Sequence, residues 1–296
     1  ELYVSVGDRG TVMTSPKGID WTTELVPTNL LDHVLLGVGG TTNLIFAVGT
    51  AGNMIYSTNT LVDVISTNIT TDGMGMSVTN FTTNALSEIG IIWTALPAPD
   101  GNDLQGVTEK DGTFVVCGGG GTILTSTDNG ANWTLRTTPT SEYLSSVAAH
   151  PGGFVAVGDN GIILSSIDGV NWTVQSSGTA NWVFRVRWLN GQLLAVGQNG
   201  TVLTSPDGAV WTARASGVAK WLNDVAFINE LYFAVGTSGT ALCSSDSITW
   251  SDITTTTFKS FYGIAGNGSQ MVVTGIEGIV LRAQTELDLT PINIAS

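Results

Sequence analysis

The chain has 296 residues, 42% of them hydrophobic and only 11% charged, with 37 Gly and a formal net charge of −14. This is the composition of a compact, turn-rich β protein able to bury a large core, and it excludes a disordered chain. With only 10 Lys and Arg and no basic run, the chain lacks the clustered cations that nucleic acid or an anionic membrane surface requires.

The first element, YVSVG, is an alternating strand that ends on Gly7 and is followed by TVMTS, a turn and Trp21. The same order then recurs. Gly49, Gly118, Gly158, Gly197, Gly236 and Gly275 close equivalent strands, the last five spaced by 40, 39, 39 and 39 residues. Trp133, Trp172, Trp211 and Trp250 follow at steady intervals of 39. The fourth copy shows the whole unit: LSSVAAH (144–150), GFVAVG (153–158), GIILSS (161–166) and NWTVQSS (171–177). Each is a short β-branched or apolar run bounded by Gly, Asn or Asp. Four strands in ~40 residues, seven times over, predict an all-β fold: one seven-bladed β-propeller of four-stranded antiparallel blades spanning 1–296. A solenoid would need caps, and neither end resembles one.

Two irregularities interrupt the order. The first copy starts at its second strand, and the C-terminal PINIAS (291–296) resembles the missing inner strand. Pairing of the N- and C-terminal strands in one blade is therefore expected to close the ring. The second is an insertion at 60–92, in the third-to-fourth strand turn of the second copy. Its alternating MGMSVTNF predicts a projecting hairpin, either a docking arm or a tolerated surface excursion. Its sequons at Asn68 and Asn80 are better glycosylation candidates than those built into the repeat.

The third-to-fourth turn carries the most conspicuous motif: STDNGANW (126–133), SIDGVNW (166–172), SPDGAVW (205–211) and SSDSITW (244–250). This resembles the Asp-box, or BNR repeat, of sialidase-like propellers. Combined with VGxxGxIxxSxDGxxW, the chain is similar to propellers of the photosystem II assembly factor type. The resemblance covers all but 60–92 and implies a fold more than an activity. Asp accepts backbone N–H bonds in a tight turn, Gly takes the left-handed position, and Trp buries its ring between blades. Asp128, Asp168, Asp207 and Asp246 with Trp133, Trp172, Trp211 and Trp250 are thus expected to lock rim hairpins. Lys17 and Asn59 replace the Asp in the first two copies, where weaker turns are expected.

No catalytic residue is assigned. A sialidase needs converging arginines, an acid/base and a Tyr nucleophile. Of the six Arg, Arg136 and Arg214 fall on outer strands and Arg282 on a third strand, which leaves Arg9, Arg185 and Arg187. An atypical glycoside hydrolase is the alternative, with Asp8, Asp103, Glu142, Asp159, Asp224 and Glu277 as carboxylate candidates and no spacing that marks a pair. Cys117 and Cys243, three copies apart, are expected to be free and buried. With only His33 and His150 beside them, no metal and no cofactor is expected.

Recognition is the favoured function. The loops before the first strand and between the second and third strands share one propeller face. The first set offers Asp103, Tyr143, Trp182, Trp221 and Ser260; the second offers varying pairs, including Asp159-Asn160 and Gln198-Asn199. Aromatic rings among Asn, Gln and Asp suit a peptide or a sugar. Trp182 also alternates with Phe184, Val186 and Trp188, and Trp221 keeps step with Val225 and Phe227, as packing faces would. Arg185 aligns with Asp224 of the next copy; both are candidates for the axial ligand face, with an interblade ion pair as the favoured reading. A protein or glycan partner follows, without nucleic acid and without membrane insertion, since no apolar run nears the ~20 residues of a spanning helix. The acidity suits an extracellular or surface-exposed setting. No signal peptide is visible, and the lack of Met at position 1 leaves room for a leader already removed.

Overall fold

The computed structural model of the protein describes residues 2–41, 43–71, 77–96, 101–253, 255, 257–267, 270–284 and 290–292. They form a seven-bladed β-propeller of antiparallel sheets. Six blades have four strands, led by the inner strands Leu35–Gly40, Leu104–Lys110, Leu144–His150, Val183–Leu189, Leu222–Ile228 and Phe261–Asn267. Blade 1 has three among the described residues: Tyr3–Val6, Val12–Ser15 and Thr22–Thr23.

The core lies between blades and not within them. Val115 and Ile123 of blade 3 pack with Leu144, Phe154 and Trp172 of blade 4. Leu194 and Val196 of blade 5 pack with Leu222, Tyr232 and Trp250 of blade 6. Trp133 and Trp211 pack at the second-to-third and fourth-to-fifth junctions in the same way. A twisted four-stranded sheet has two apolar faces, and stacking around a ring buries both.

The ring closes by packing. A Cβ on Gly18, in the rim hairpin of blade 1, would lie 2.6 Å from Cγ2 of Val272 in blade 7. Gly208 meets Val155 of the preceding blade at the same 2.6 Å. The junction between blades 7 and 1 thus repeats the contact made elsewhere. The expected terminal strand exchange is corrected here. Thr290–Ile292 pairs with Val280–Gln284, in the register Val280↔Ile292, and is the outer strand of blade 7. The expectation reversed an outer strand into an inner one because both are short and apolar. Residues 293–296 lie outside those described.

In blade 2 the third and fourth strands run on as Met54–Thr71 and Ser77–Leu96, paired from Met54↔Leu96 to Thr71↔Ser77. Beyond the blade they form the hairpin expected of the insertion, roughly 45 Å long at ~3.3 Å per residue. Asn68 and Asn80 are direct register partners on it.

The rim hairpins show why Asp recurs. Asp168 Oδ1 accepts the N–H groups of Val170 and Asn171, each at 2.8 Å, and Ser166 Oγ donates to it at 3.0 Å. Trp172 Nε1 donates to Gly169 O at 3.0 Å. Asp207 and Asp246 repeat the pattern, with Trp211 and Trp250 on Gly208 O and Ser247 O. Asp128 holds both the backbone and the side chain of Asn132. The turn there is one residue longer, and the Trp133 indole N–H has no partner among the described residues. In blade 1, where Lys17 replaces Asp, Ser15 Oγ and Trp21 Nε1 both lack partners among those residues. The Asn59 side chain lies outside the described set. Cys117 is buried, whereas Cys243 is only partly buried, against the expectation that both would be; both are free.

The Asn132 amide side chain and backbone hold Asp128 at about 2, and the Thr249 and Ile248 N–H groups hold Asp246 at about 2. Bonds led by the Asn171 and Val210 N–H groups lower Asp168 and Asp207. Folded values below the unfolded ~3.9 mean stability that is complete above about pH 4 and is lost as pH falls through the folded values. The melting temperature is therefore expected to fall between about pH 4 and pH 2. Substituting Asp168→Asn and Asp207→Asn together should lower it at pH 6 and shrink the pH 6-to-3 difference, measured by calorimetry.

Candidate functional site

One main-chain device builds the axial face. In six blades the second strand ends on a glycine whose Cβ, if present, would lie 1.9–2.2 Å from the carbonyl oxygen of the residue before the inner strand. Those oxygens belong to Val34, Asp103, Tyr143, Trp182, Trp221 and Ser260. The bare Cα lets that residue press against the following turn. The turn's first N–H then donates to the same carbonyl: Asp159 to Tyr143 at 2.9 Å, Gln198 to Trp182 at 2.8 Å, Thr237 to Trp221 at 2.9 Å. The two loop sets expected to share a face are thus pinned together blade by blade.

The turns vary in side chain and not in backbone. Their second residues, Arg9, Ala51, Gly120, Asn160, Asn199, Ser238 and Glu277, all lie at φ 51–63. Asn adopts this left-handed conformation more readily than the β-branched residues, which are missing from the set. Asn160 Nδ2 donates to Glu142 at 3.0 Å, and Asn199 Nδ2 to Asn181 at 3.3 Å. Gln198 Oε1 accepts the Trp182 N–H at 3.2 Å, and Asp159 Oδ1 accepts the Asn160 N–H at 2.7 Å. Both Asn are exposed; Asp159 and Gln198 are half-buried.

Every inner strand carries a bulge after its first residue. A bulge re-aims one side chain. The bulged residues are Leu36, Gln105, Ser145, Phe184, Asn223 and Tyr262, which strict alternation passes over. Three of them reach the pre-strand residue of the next blade, and a fourth, Asn223, reaches the first residue of the next inner strand. Gln105 Nε2 donates to the Tyr143 hydroxyl, and Trp182 Nε1 donates to Ser145 Oγ. Phe184 stacks on Trp221 at 5.2 Å, and Asn223 Nδ2 donates to Phe261 O at 2.7 Å.

An aromatic arc results: Tyr143–Trp182 at 5.9 Å, Trp182–Phe184 at 4.8 Å, Phe184–Trp221 at 5.2 Å. A bulge lies between Trp182 and the buried Val186, so those two do not keep strict step, although Trp182 packs on Phe184. Trp221 is 41% exposed while Val225 is fully buried, so those two do not share a face either. Tyr262 is 53% exposed on blade 7. Partial burial raises the Tyr143 hydroxyl above its ordinary range, so it stays a neutral donor and acceptor at physiological pH.

The interblade ion pair is present and larger than expected. The buried Asp224 carboxylate meets Arg187 at 2.7 Å and Arg185 at 3.3 Å. It also accepts the N–H groups of Val225 at 2.9 Å and Ile264 at 3.0 Å. One carboxylate thereby ties blades 5, 6 and 7. Among the described residues no group of three His, Cys, Asp or Glu is placed to hold a metal, and no helix is long and apolar enough to cross a membrane.

A family model described as the DUF6242 beta propeller domain matches residues 91–222. The structure is similar to YCF48 bound to D1 peptide, with a TM-score of 0.69 and 18% identity over 96% of this chain and 88% of that one. YCF48 from Cyanidioschyzon merolae gives 0.67 and 17% over 95% and 91%. The WD40 beta propeller domain of Doa1 gives 0.63 and 11% over 96% and 88%. At these identities the likeness is one of fold. No curated protein matches the sequence.

Replacing Asp224→Ala leaves two guanidiniums facing each other and the Ile264 N–H unpartnered. A loss of about 2–4 kcal/mol in urea unfolding is expected. Arg187→Gln should cost less, because that side chain is 36% exposed.

Proposed function

We propose that this propeller is a non-catalytic recognition scaffold that grips a segment of a protein partner on its axial face. The aromatic arc from Tyr143 to Trp221, continued by the exposed Tyr262, carries the reading. Rigid rings flanked by amides and carboxylates are the usual anchors of a recognition surface. The solved YCF48 structure shows the same fold with a D1 peptide bound, which supports a peptide over a sugar. The rim hairpins fit the Asp-box role of holding the scaffold away from the ligand face. A place in complex assembly, or at a cell or virion surface, agrees with this reading.

The glycoside hydrolase alternative has less support. Asp224 is committed to two arginines and two backbone N–H groups, which leaves it no position facing a substrate as one of a carboxylate pair. The long hairpin of blade 2 supports a second contact, a docking arm that acts apart from the axial face.

Peptides selected from a display library against the native protein are expected to lose at least ~10-fold in affinity on Trp221→Ala with Tyr262→Ala. The triple change Tyr143→Ala, Trp182→Ala and Trp221→Ala should abolish binding with the fold retained by circular dichroism. Binders that ignore these rings, or a glycan array that outperforms the library, would overturn the reading. Replacing 60–90 by an Asn-Gly turn, which keeps the Asn59↔Ile91 register, should leave this axial binding intact, by titration calorimetry, while breaking any assembly that uses the arm.

A further inference from the structure

The aromatic arc has two unlike ends. At blades 4 and 5 the polar atom of each ring is already engaged. Gln105 Nε2 donates to the Tyr143 hydroxyl, and Trp182 Nε1 donates to Ser145 Oγ. In both cases the partner is the bulged residue of the preceding blade. At blade 6 that residue is Phe184, which stacks on Trp221 at 5.2 Å and has no acceptor to offer. The indole N–H of the exposed Trp221 therefore has no hydrogen bond among the described residues.

Charge is separated along the same line. Around Tyr143 stand the half-buried carboxylates of Asp103, Glu142 and Asp159. Asp159 donates its N–H to Tyr143 O at 2.9 Å, and Glu142 precedes Tyr143 in the chain. Asp103 is close enough to the Tyr143 hydroxyl that its charge, after burial, helps to raise it. Among the described residues none of the three carboxylates is in an ion pair. At the other end the exposed Lys220 precedes Trp221, and it too is outside the ion pairs of those residues. Arg185 follows Phe184, and it shares the one Asp224 carboxylate with Arg187, which leaves a positive charge over. Blade 7, beyond, balances its own charges with Lys259 on Glu277 at 2.8 Å. A row of rings with opposite charges at its two ends selects a ligand of the complementary polarity.

We propose that the partner segment is bipolar and lies along the arc in one charge order, with a Lys or Arg over the Tyr143 ring and an Asp or Glu at Trp221 that accepts the indole N–H. A cation on a ring face flanked by carboxylates gains from both, and an N–H given to a carboxylate is a stronger bond than one given to a neutral acceptor. Centroid steps of 5.9, 4.8 and 5.2 Å separate the ends. At ~3.3 Å per residue the two charged residues lie within about five positions of each other in an extended segment. The inference rests on the peptide reading given above and adds the chemistry and direction of the segment.

The probe is a random heptapeptide library displayed on phage and selected on the native protein, followed by synthetic peptides of the enriched sequences. These are expected to carry a basic and an acidic residue in one order, and exchanging the two residues should weaken a peptide at least ~10-fold. Trp221→Phe keeps a ring and removes the N–H, so it should weaken the peptide ~10-fold with the melting temperature unchanged. Trp182→Phe should do the opposite: it takes the donor from Ser145 Oγ, lowers the melting temperature and weakens the peptide less than Trp221→Phe does. Lys220→Glu should weaken the parent peptide, and a peptide whose acidic residue is changed to Lys should recover the loss. Asp103→Asn with Glu142→Gln and Asp159→Asn should remove the preference for Lys or Arg and keep the acidic one. Enriched peptides that need the three rings but show no charge order, or that are indifferent to Trp221→Phe and Lys220→Glu, overturn this inference and leave the peptide reading standing. Enriched peptides that bind regardless of the rings overturn both.

Discussion

A carbonyl oxygen lying against a bare Cα is the contact on which this molecule's functional face depends. In six blades the glycine that ends the second strand admits the residue before the inner strand to within about 2 Å of where a methyl would stand. That approach sets the turn, the turn's N–H returns to the same carbonyl, and two loops become one surface. A side chain there would push the pre-strand residue outward, and the aromatic arc would lose its footing. The recurring glycine is thus a steric requirement and not a conformational one, because its φ is extended in every blade.

The division of labour within each repeat follows. Invariant positions build hairpins and interblade cores; the positions free to differ sit at turn tips and at the bulges. Asp168 and its counterparts spend their acceptor capacity on the backbone of their own turn, and their lowered proton affinity reflects that engagement. Asp224 is engaged differently. It stands where other inner strands hold Gly, Ser or Arg and has been drawn into a three-blade tie.

Much of the fold was legible because its period is long and its punctuation strict. Seven Gly and the spaced Trp counted the blades, and the rim turns could be read from Asp and Ser chemistry. The axial face was legible only in part. Tyr143, Trp182 and Trp221 could be aligned, but Gln105, Phe184, Asn223 and Tyr262 could not, because a bulge shifts the alternation by one residue and has no composition of its own. The signal available was positional: each is the second residue of an inner strand. The terminal strand was misplaced for a related reason, since a three-residue apolar strand does not reveal which edge it joins.

Because each apolar cluster is shared by two neighbours, no blade owns a core. Opening one blade strips apolar surface from the next on either side, which makes the ring a cooperative whole under uniform stress. Under directed stress it is not uniform. Blade 1 brings three described strands and a rim hairpin whose Ser15 and Trp21 polar atoms are unpartnered among the described residues. It meets blade 7 where Gly18 lies beside Val272. That junction is the seam of the ring, the place where a pulling force or an attacking protease gains entry first.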